Sequence, residues 1–269
     1  MPHRRRSDEL PQRVRQAVAA HTGLIRSAYP IAAGASSDLA LTLDTATGPV
    51  FCKGGPVDAP TAWLYRNEAR VNPWLPVAAP RLRWTVEESG WLLLGFEHVA
   101  GRHPDLVPGS PDLAPLAALL TRLGGELTPG PPVAVRPFAT RWHGLIAPEL
   151  VDGDTLLHTD MTPRNFLLGE RSRLVDWSAP ARGAAWIDTA LLVPRLIRAG
   201  HQPSEAERWA ALVPAFARAP DDAVAAFAGA LVRLWERMQR SSSAPHHTPL
   251  LAAARRWHGH RLSRQPASA

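Results

Sequence analysis

Residues 157–177 read L-H-T-D-M-T-P-R-N-F-L-L-G-E-R-S-R-L-V-D-W, and the rest of the chain is read around them. Asp160, Asn165 and Asp176 stand in this stretch at fixed offsets. Between Asn165 and Asp176 lie two short apolar runs, Phe166–Leu168 and Leu174–Val175, separated by the polar turn Gly169–Arg173. That pattern predicts a small hairpin. A hairpin returns its two ends to one place, so Asn165 and Asp176 are expected side by side. Two oxygen donors so placed, with Asp160 on the adjoining loop, suit a hard cation such as Mg²⁺ carrying phosphate. Phosphoryl transfer needs such a clamp, and a carboxylate that orients and deprotonates the attacking hydroxyl.

H-x-D-x-x-x-x-N followed by an apolar hairpin and a second Asp resembles the catalytic and metal-binding segment of the protein-kinase-like fold. Here H-T-D stands in place of H-R-D, and Asp-Trp in place of Asp-Phe-Gly. In both departures the stretch is similar to the aminoglycoside phosphotransferase family of small-molecule kinases. The resemblance implies that Asp160 is the catalytic base and that Asn165 and Asp176 are the metal ligands. Arg164 occupies the slot from which tyrosine-kinase loops place an arginine near the transferred phosphoryl group. The implied fold is α+β, protein-kinase-like and two-lobed. A small N-terminal lobe with a five-stranded antiparallel sheet, residues 1–98, would bind nucleotide. A larger, mainly helical lobe, residues 99–269, would carry catalysis and the acceptor.

The chain before the motif fits that plan. Leu10, Val14 and Val18 recur at helical spacing over residues 8–21. Short strands are predicted from 27 to about 32, at 39–43 and at 49–53, with D-T-A-T-G as the turn between the last two. The loop A-G-A-S-S-D at 33–38 offers Gly34 for close backbone approach and Ser36 and Ser37 as hydroxyl donors to phosphate. In the resembling family this serine-rich loop covers the nucleotide. Lys53 ends the third strand, where the family's ATP-binding lysine belongs, and the following helix, 60–72, supplies Glu68 to hold it. Two more strands, 81–88 and 91–96, complete the sheet. Adenine would then meet the backbone near Phe96 and His98.

After residue 100 the periodicity turns helical. Leu113, Leu116, Ala117, Leu120 and Leu123 form a stripe predicted to end at Gly124–Gly125. Further helices are expected at 138–150, after Asp188, and at 203–217, 221–240 and 248–262, with a disordered tail beyond Arg264. His158 is expected to brace the catalytic loop, and Asp188, by the resemblance, to tie down its backbone. Trp177 is expected to wall the site. His246, His247, His258 and His260 read as solvated helix-end residues, since no carboxylate or cysteine accompanies them at a ligand spacing.

Composition narrows the remaining choices. A single cysteine, Cys52, rules out an internal disulfide, and with no apolar leader or membrane-length run the expected location is cytoplasmic. The net charge of +6 comes from scattered arginines with no aromatic-basic signature, so no nucleic-acid partner is expected. Of thirty Lys plus Arg, only Lys53 is lysine, and a lone lysine invites a chemical explanation. There is no G-x-S-x-G elbow, P-loop, H-E-x-x-H or Rossmann fingerprint, nor the preceding helical histidines that an HD-type phosphohydrolase needs. The expected activity is ATP- and Mg²⁺-dependent phosphorylation of a hydroxyl on a small molecule, an antibiotic such as an aminoglycoside or a metabolite, by a monomer or homodimer. The arginine excess tilts the acceptor toward a neutral or less cationic compound. The competing expectation is a catalytically weak or inactive relative that binds nucleotide or a partner.

Overall fold

The structure, a computed structural model, describes residues 7–31, 37–242 and 244–264. Gly34 and Ser36, with most of the serine-rich loop, and the tail after Arg264 lie outside the described residues. The chain divides into two compact units: Met1–Arg102 with Gly169–Ala179, and His103–Leu168 with Pro180–Ala269.

In the first unit, helix α1 (Gln12–Thr22) precedes the strands β1 (Ile25–Pro30), β2 (Leu39–Thr45) and β3 (Gly48–Pro56). Helix α2 (Ala62–Val71) and the hairpin of β4 (Leu82–Glu88) and β5 (Trp91–Glu97) follow. The sheet is antiparallel throughout, in the order β1-β2-β3-β5-β4. Successive side chains of a strand point to opposite faces, and here both faces are covered. Leu39, Leu41, Leu43, Cys52, Trp91 and Leu93 pack with Leu10, Val14 and Val18 at and before α1. Leu92, Leu94 and Phe96 pack on the other face with Tyr65 of α2. Isolated helices as short as the 11 residues of α1 are marginal in water; each buried Val or Leu adds roughly 1.5–3 kcal/mol, so docking rather than propensity holds this helix. The same pleat fixes Lys53. Cys52 belongs to the α1 face, so Lys53, registered opposite Leu94, is turned toward α2 and Glu68.

The second unit is mostly helical: α3 (Leu113–Glu126), the single turn α4 (Phe138–Arg141), α5 (Ile187–Arg198), α6 (Pro203–Ala210), the single turn α7 (Pro214–Ala217), α8 (Asp221–Ser241) and α9 (His247–Arg264). Three helix boundaries differ from the sequence expectation. Helix α3 runs through Gly124 and Gly125, because neither backbone is crowded and the turn beyond them buries Leu127, outweighing about 1 kcal/mol of poor propensity per glycine. The helix expected over 138–150 is only α4 and a 3-10 turn at Pro148–Leu150, since Gly144 takes a left-handed φ of 74°. The helix expected over 203–217 breaks before Pro214, which holds Val213 extended. Strands β6 (Thr155–Leu157) and β9 (Ala181–Gly183) pair antiparallel, and β6 leads directly into the 158–165 loop. Two-residue strands β7 (Phe166–Leu167) and β8 (Arg173–Leu174) stand where the hairpin arms were expected. The boundary between the two units falls in the turn joining them.

The fold class expected from the sequence is the one observed: α+β, with a five-stranded antiparallel sheet and a larger helical part. No helix among the described residues is long and apolar enough to cross a membrane.

Candidate active site

Lys53 is the centre of the polar cluster in the first unit. Its Nζ lies 2.6 Å from Glu68 Oε2 and 2.7 Å from Asp176 Oδ1, with the Phe96 ring centroid 5.8 Å away. Lys53 and Glu68 are both buried, whereas the Asp176 side chain is 27% exposed. Burial alone would push the ammonium's pKa down; the carboxylates of Asp176 and Glu68 reverse that and leave it above the usual lysine value. Glu68 shows the opposite side of the balance. Burial pushes its carboxyl up, the lysine pulls it back and the neighbouring Asp176 raises it again, to about 7. Two acids share one base.

The backbone around Asp176 is built to hold this arrangement. Asp176 sits at φ 65°, in the left-handed region that few non-glycine residues occupy. Trp177 N–H donates to Glu68 Oε1 at 3.1 Å, so α2 grips both the lysine and the segment carrying Asp176. The Trp177 indole is 2% exposed, and its Nε1–H donates to Leu174 O. Trp177 therefore anchors this segment in the core and does not wall the site, a correction to the expectation above. Leu174 N–H in turn donates to Ala78 O, and Arg173 reaches Glu97 at 3.7 Å.

The second unit shapes the loop carrying Asp160. His158 is fully buried, and the backbone N–H groups of His158 and Thr159 donate to Asp188 Oδ2 and Oδ1 at 2.8 and 2.9 Å. These are the bonds expected of Asp188, and they hold Thr159 at a left-handed φ of 70°. Asp160 N–H donates to His158 Nδ1 at 3.2 Å, which makes His158 the brace of the turn. Asn165, buried at the end of a 3-10 turn, donates from Nδ2 to Asp160 O at 2.9 Å, fixing its amide oxygen as the remaining donor atom. The Asp160 carboxylate is half-exposed, with Arg195 Nη2 3.9 Å from Oδ1. Arg141 Nη1 donates to Thr159 Oγ1 at 2.9 Å.

The remaining candidate residues are placed as follows. Ser37 lies within hydrogen-bonding reach of the Tyr65 hydroxyl. Phe96 is buried beneath Lys53, His98 is exposed just past the end of β5, and Arg164 is exposed in the 3-10 turn. Of the C-terminal histidines, His246 is exposed but His247 is buried and bonded to Ser242 O, which corrects its reading as solvated. No cluster of three or more His, Cys, Asp or Glu able to hold a metal occurs among the described residues. Sequence reasoning missed Arg141 and Arg195, two of many arginines with no local motif to mark them. It also missed buried Glu207, which accepts from Trp257 Nε1, Arg261 Nε and Arg264 Nη1 and ties α6 to α9.

These features define a chain with the fold of small-molecule phosphotransferases of the protein-kinase-like type. No family model matches the sequence, and no curated protein does. Solved structures do. A thermostable mutant of aminoglycoside phosphotransferase APH(4)-Ia, in ternary complex with AMP-PNP and hygromycin B, superposes with a TM-score of 0.62 at 13% identity, covering 96% of this chain and 100% of that one. Choline kinase LicA from Streptococcus pneumoniae gives 0.57 at 12% identity, covering 93% and 99%. The microcompartment-associated aminopropanol kinase gives 0.54 at 12% identity, covering 94% and 97%. At such identities the likeness is one of fold.

Proposed function

We propose that this protein is an ATP-dependent phosphotransferase that moves the γ-phosphoryl group to a hydroxyl of a small molecule. The observation that carries the reading is the buried Lys53 held between Glu68 and Asp176 in a chain of this fold. A lysine so fixed by a helix carboxylate is placed to take the α- and β-phosphates of a nucleotide. Ser37, with the loop before it, would cover those phosphates, and the backbone near Phe96 and His98 would receive the adenine. That neighbours were crystallised with AMP, ADP or AMP-PNP supports a nucleotide ligand.

The residues present fit a divalent cation. Asp176 and Asn165 offer hard oxygen donors, and the carboxylates of Glu68 and Asp176 both lie against the single ammonium of Lys53. Asn165 and Asp176 would hold Mg²⁺, which when bound supplies neutralisation of phosphate charge. Asp160 would orient the acceptor hydroxyl and take its proton as the phosphorus–oxygen bond forms. Its half-exposed carboxylate, on a loop locked by His158 and Asp188, suits that role. Arg164 would add positive charge at the transferred group. No covalent enzyme intermediate is needed; positioning and electrostatics carry the reaction.

The test is calorimetric titration of the protein with Mg·AMP-PNP, beside ADP release from Mg·ATP with a panel of hydroxyl compounds. Binding in the wild type, lost in Lys53→Met, and acceptor-dependent ADP release, lost in Asp160→Asn, are the expected results. Nucleotide binding without release for any acceptor would favour an inactive relative. No nucleotide binding at all would end the proposal.

A further inference from the structure

The surroundings of Asp160 carry a charge balance opposite to that around Lys53. Arg195, on the last turn of α5, is largely buried, with Nη1 donating to Leu191 O and Nη2 directed to the Asp160 carboxylate. Arg198 follows three residues later, one turn along the same helix face, where its charge acts on Arg195. Arg141, bonded to Thr159, closes the loop from another direction, with Arg136 near enough for its charge to act on Arg141. His246, just before α9, feels the charges of His247, Arg198, Arg195 and Arg164. The acids there are Asp160 and Asp188, and Asp188 is already taken up by two backbone N–H groups.

Arginines in the last turn of a helix are often no more than partners of its macrodipole. Such residues are normally solvated. Arg195 instead gives up most of its hydration, has a like charge one turn away and lies 3.9 Å from the carboxylate proposed as the base. Holding the largely buried Arg195, with the exposed Arg198 one turn away, beside a half-exposed carboxylate leaves an excess of positive charge that a further negative charge would complete. Guanidinium groups present forked donors that match carboxylate and phosphate oxygens.

Resting on the phosphotransferase reading, we infer that the acceptor is an anionic hydroxyl compound, bearing a carboxylate or a phosphate near the hydroxyl, and that Arg195 and Arg198 bind this anionic group. A polycation such as an aminoglycoside would meet net repulsion from these arginines. In turnover the acceptor oxygen forms the new bond to phosphorus, ADP leaves, and the hydroxyl proton passes to Asp160.

The experiment fills the nucleotide site first, with saturating Mg·AMP-PNP, and then titrates glucose, gluconate, glucose 6-phosphate and hygromycin B by calorimetry. Gluconate or glucose 6-phosphate, whichever carries the right oxyanion, is expected to bind about tenfold or more tighter than glucose and hygromycin B. The preference should shrink by about tenfold in Arg195→Gln/Arg198→Gln, with AMP-PNP affinity held within about twofold. Because Arg195 is partly buried, the exposed single change Arg198→Glu serves as a second variant and should weaken the anion while leaving the melting temperature unchanged. Equal or tighter binding of glucose or hygromycin B, no binding of either anion, or anion binding indifferent to both variants would overturn the inference. Absence of AMP-PNP binding in the opening titration would overturn the phosphotransferase reading itself, and this inference with it.

Discussion

The two polar clusters, one in each unit, face opposite electrostatic conditions. Around Lys53, two carboxylates meet one buried ammonium, and burial, only partly offset by the lysine, pushes the Glu68 carboxyl up to about 7. Around Asp160, one half-exposed carboxylate stands among arginines, and the shortage is of negative charge. Whole-chain net charge hides this, because +6 averages over both. The lesson is local: an acid-rich cluster is ready for a cation carrying phosphates, and an arginine-rich one for an anion.

The largest expected effect comes from removing the proposed base of the arginine-rich cluster. Asp160→Asn should lower acceptor-dependent ADP release by about 10²–10⁴-fold, the usual worth of a general base, with AMP-PNP affinity retained. Release at the wild-type rate would break the comparison at its functional end. Next is Lys53→Met, which strips the buried ammonium from the acid-rich cluster. Removing one partner of a buried ion pair costs about 3–5 kcal/mol, readable as a lower urea midpoint, and nucleotide binding should go with it. A variant that kept both stability and AMP-PNP binding would mean that the cluster is dispensable.

A smaller effect concerns pH. The Glu68 carboxyl lies near 7 in the folded chain against an ordinary 4.5, so the native state holds the proton more tightly than the unfolded chain. Its contribution to stability is then fully present below about pH 4.5 and is lost as the pH rises through about 7. Relative to Glu68→Gln, the metal-free wild type should therefore gain stability on going from about pH 8 to about pH 5, measured by urea unfolding. Parallel curves for the two proteins would remove the claim that Glu68 holds its proton more tightly in the folded chain. Smallest is a control on the first unit alone. Burial pushes the Cys52 thiol up to about 12, so iodoacetamide at mildly alkaline pH should label it only as the sheet unfolds. Rapid labelling of the native protein would show that the α1 face of the sheet opens readily.

Much of the acid-rich half was legible in the chain because its signals are local. A lone lysine late in a strand, a helix carboxylate after it and an Asp beyond a short hairpin were each marked by spacing together with the family resemblance, and the two-residue pleat turns Lys53 toward Glu68. The arginine-rich half was not legible. Arg141 and Arg195 stand 19 residues before and 35 after Asp160 (160 − 141 and 195 − 160), in a chain where arginine is abundant and marks nothing by itself. Helix ends were misjudged for a related reason: a glycine's cost of about 1 kcal/mol is decided by whether the next turn finds a core, as Leu127 does.

By itself, then, the order of residues determined the strand and helix types and, with the family resemblance, the pairing of Lys53 with Glu68, since periodicity and short-range spacing encode these. Tertiary structure alone decided that Trp177 is an anchor, that Asp176 joins Glu68 at Lys53, and that Arg195 loses most of its water beside Asp160. The reason is physical. The charge a side chain feels depends on what is packed around it and how much solvent is displaced, and neither is a property of neighbours along the chain.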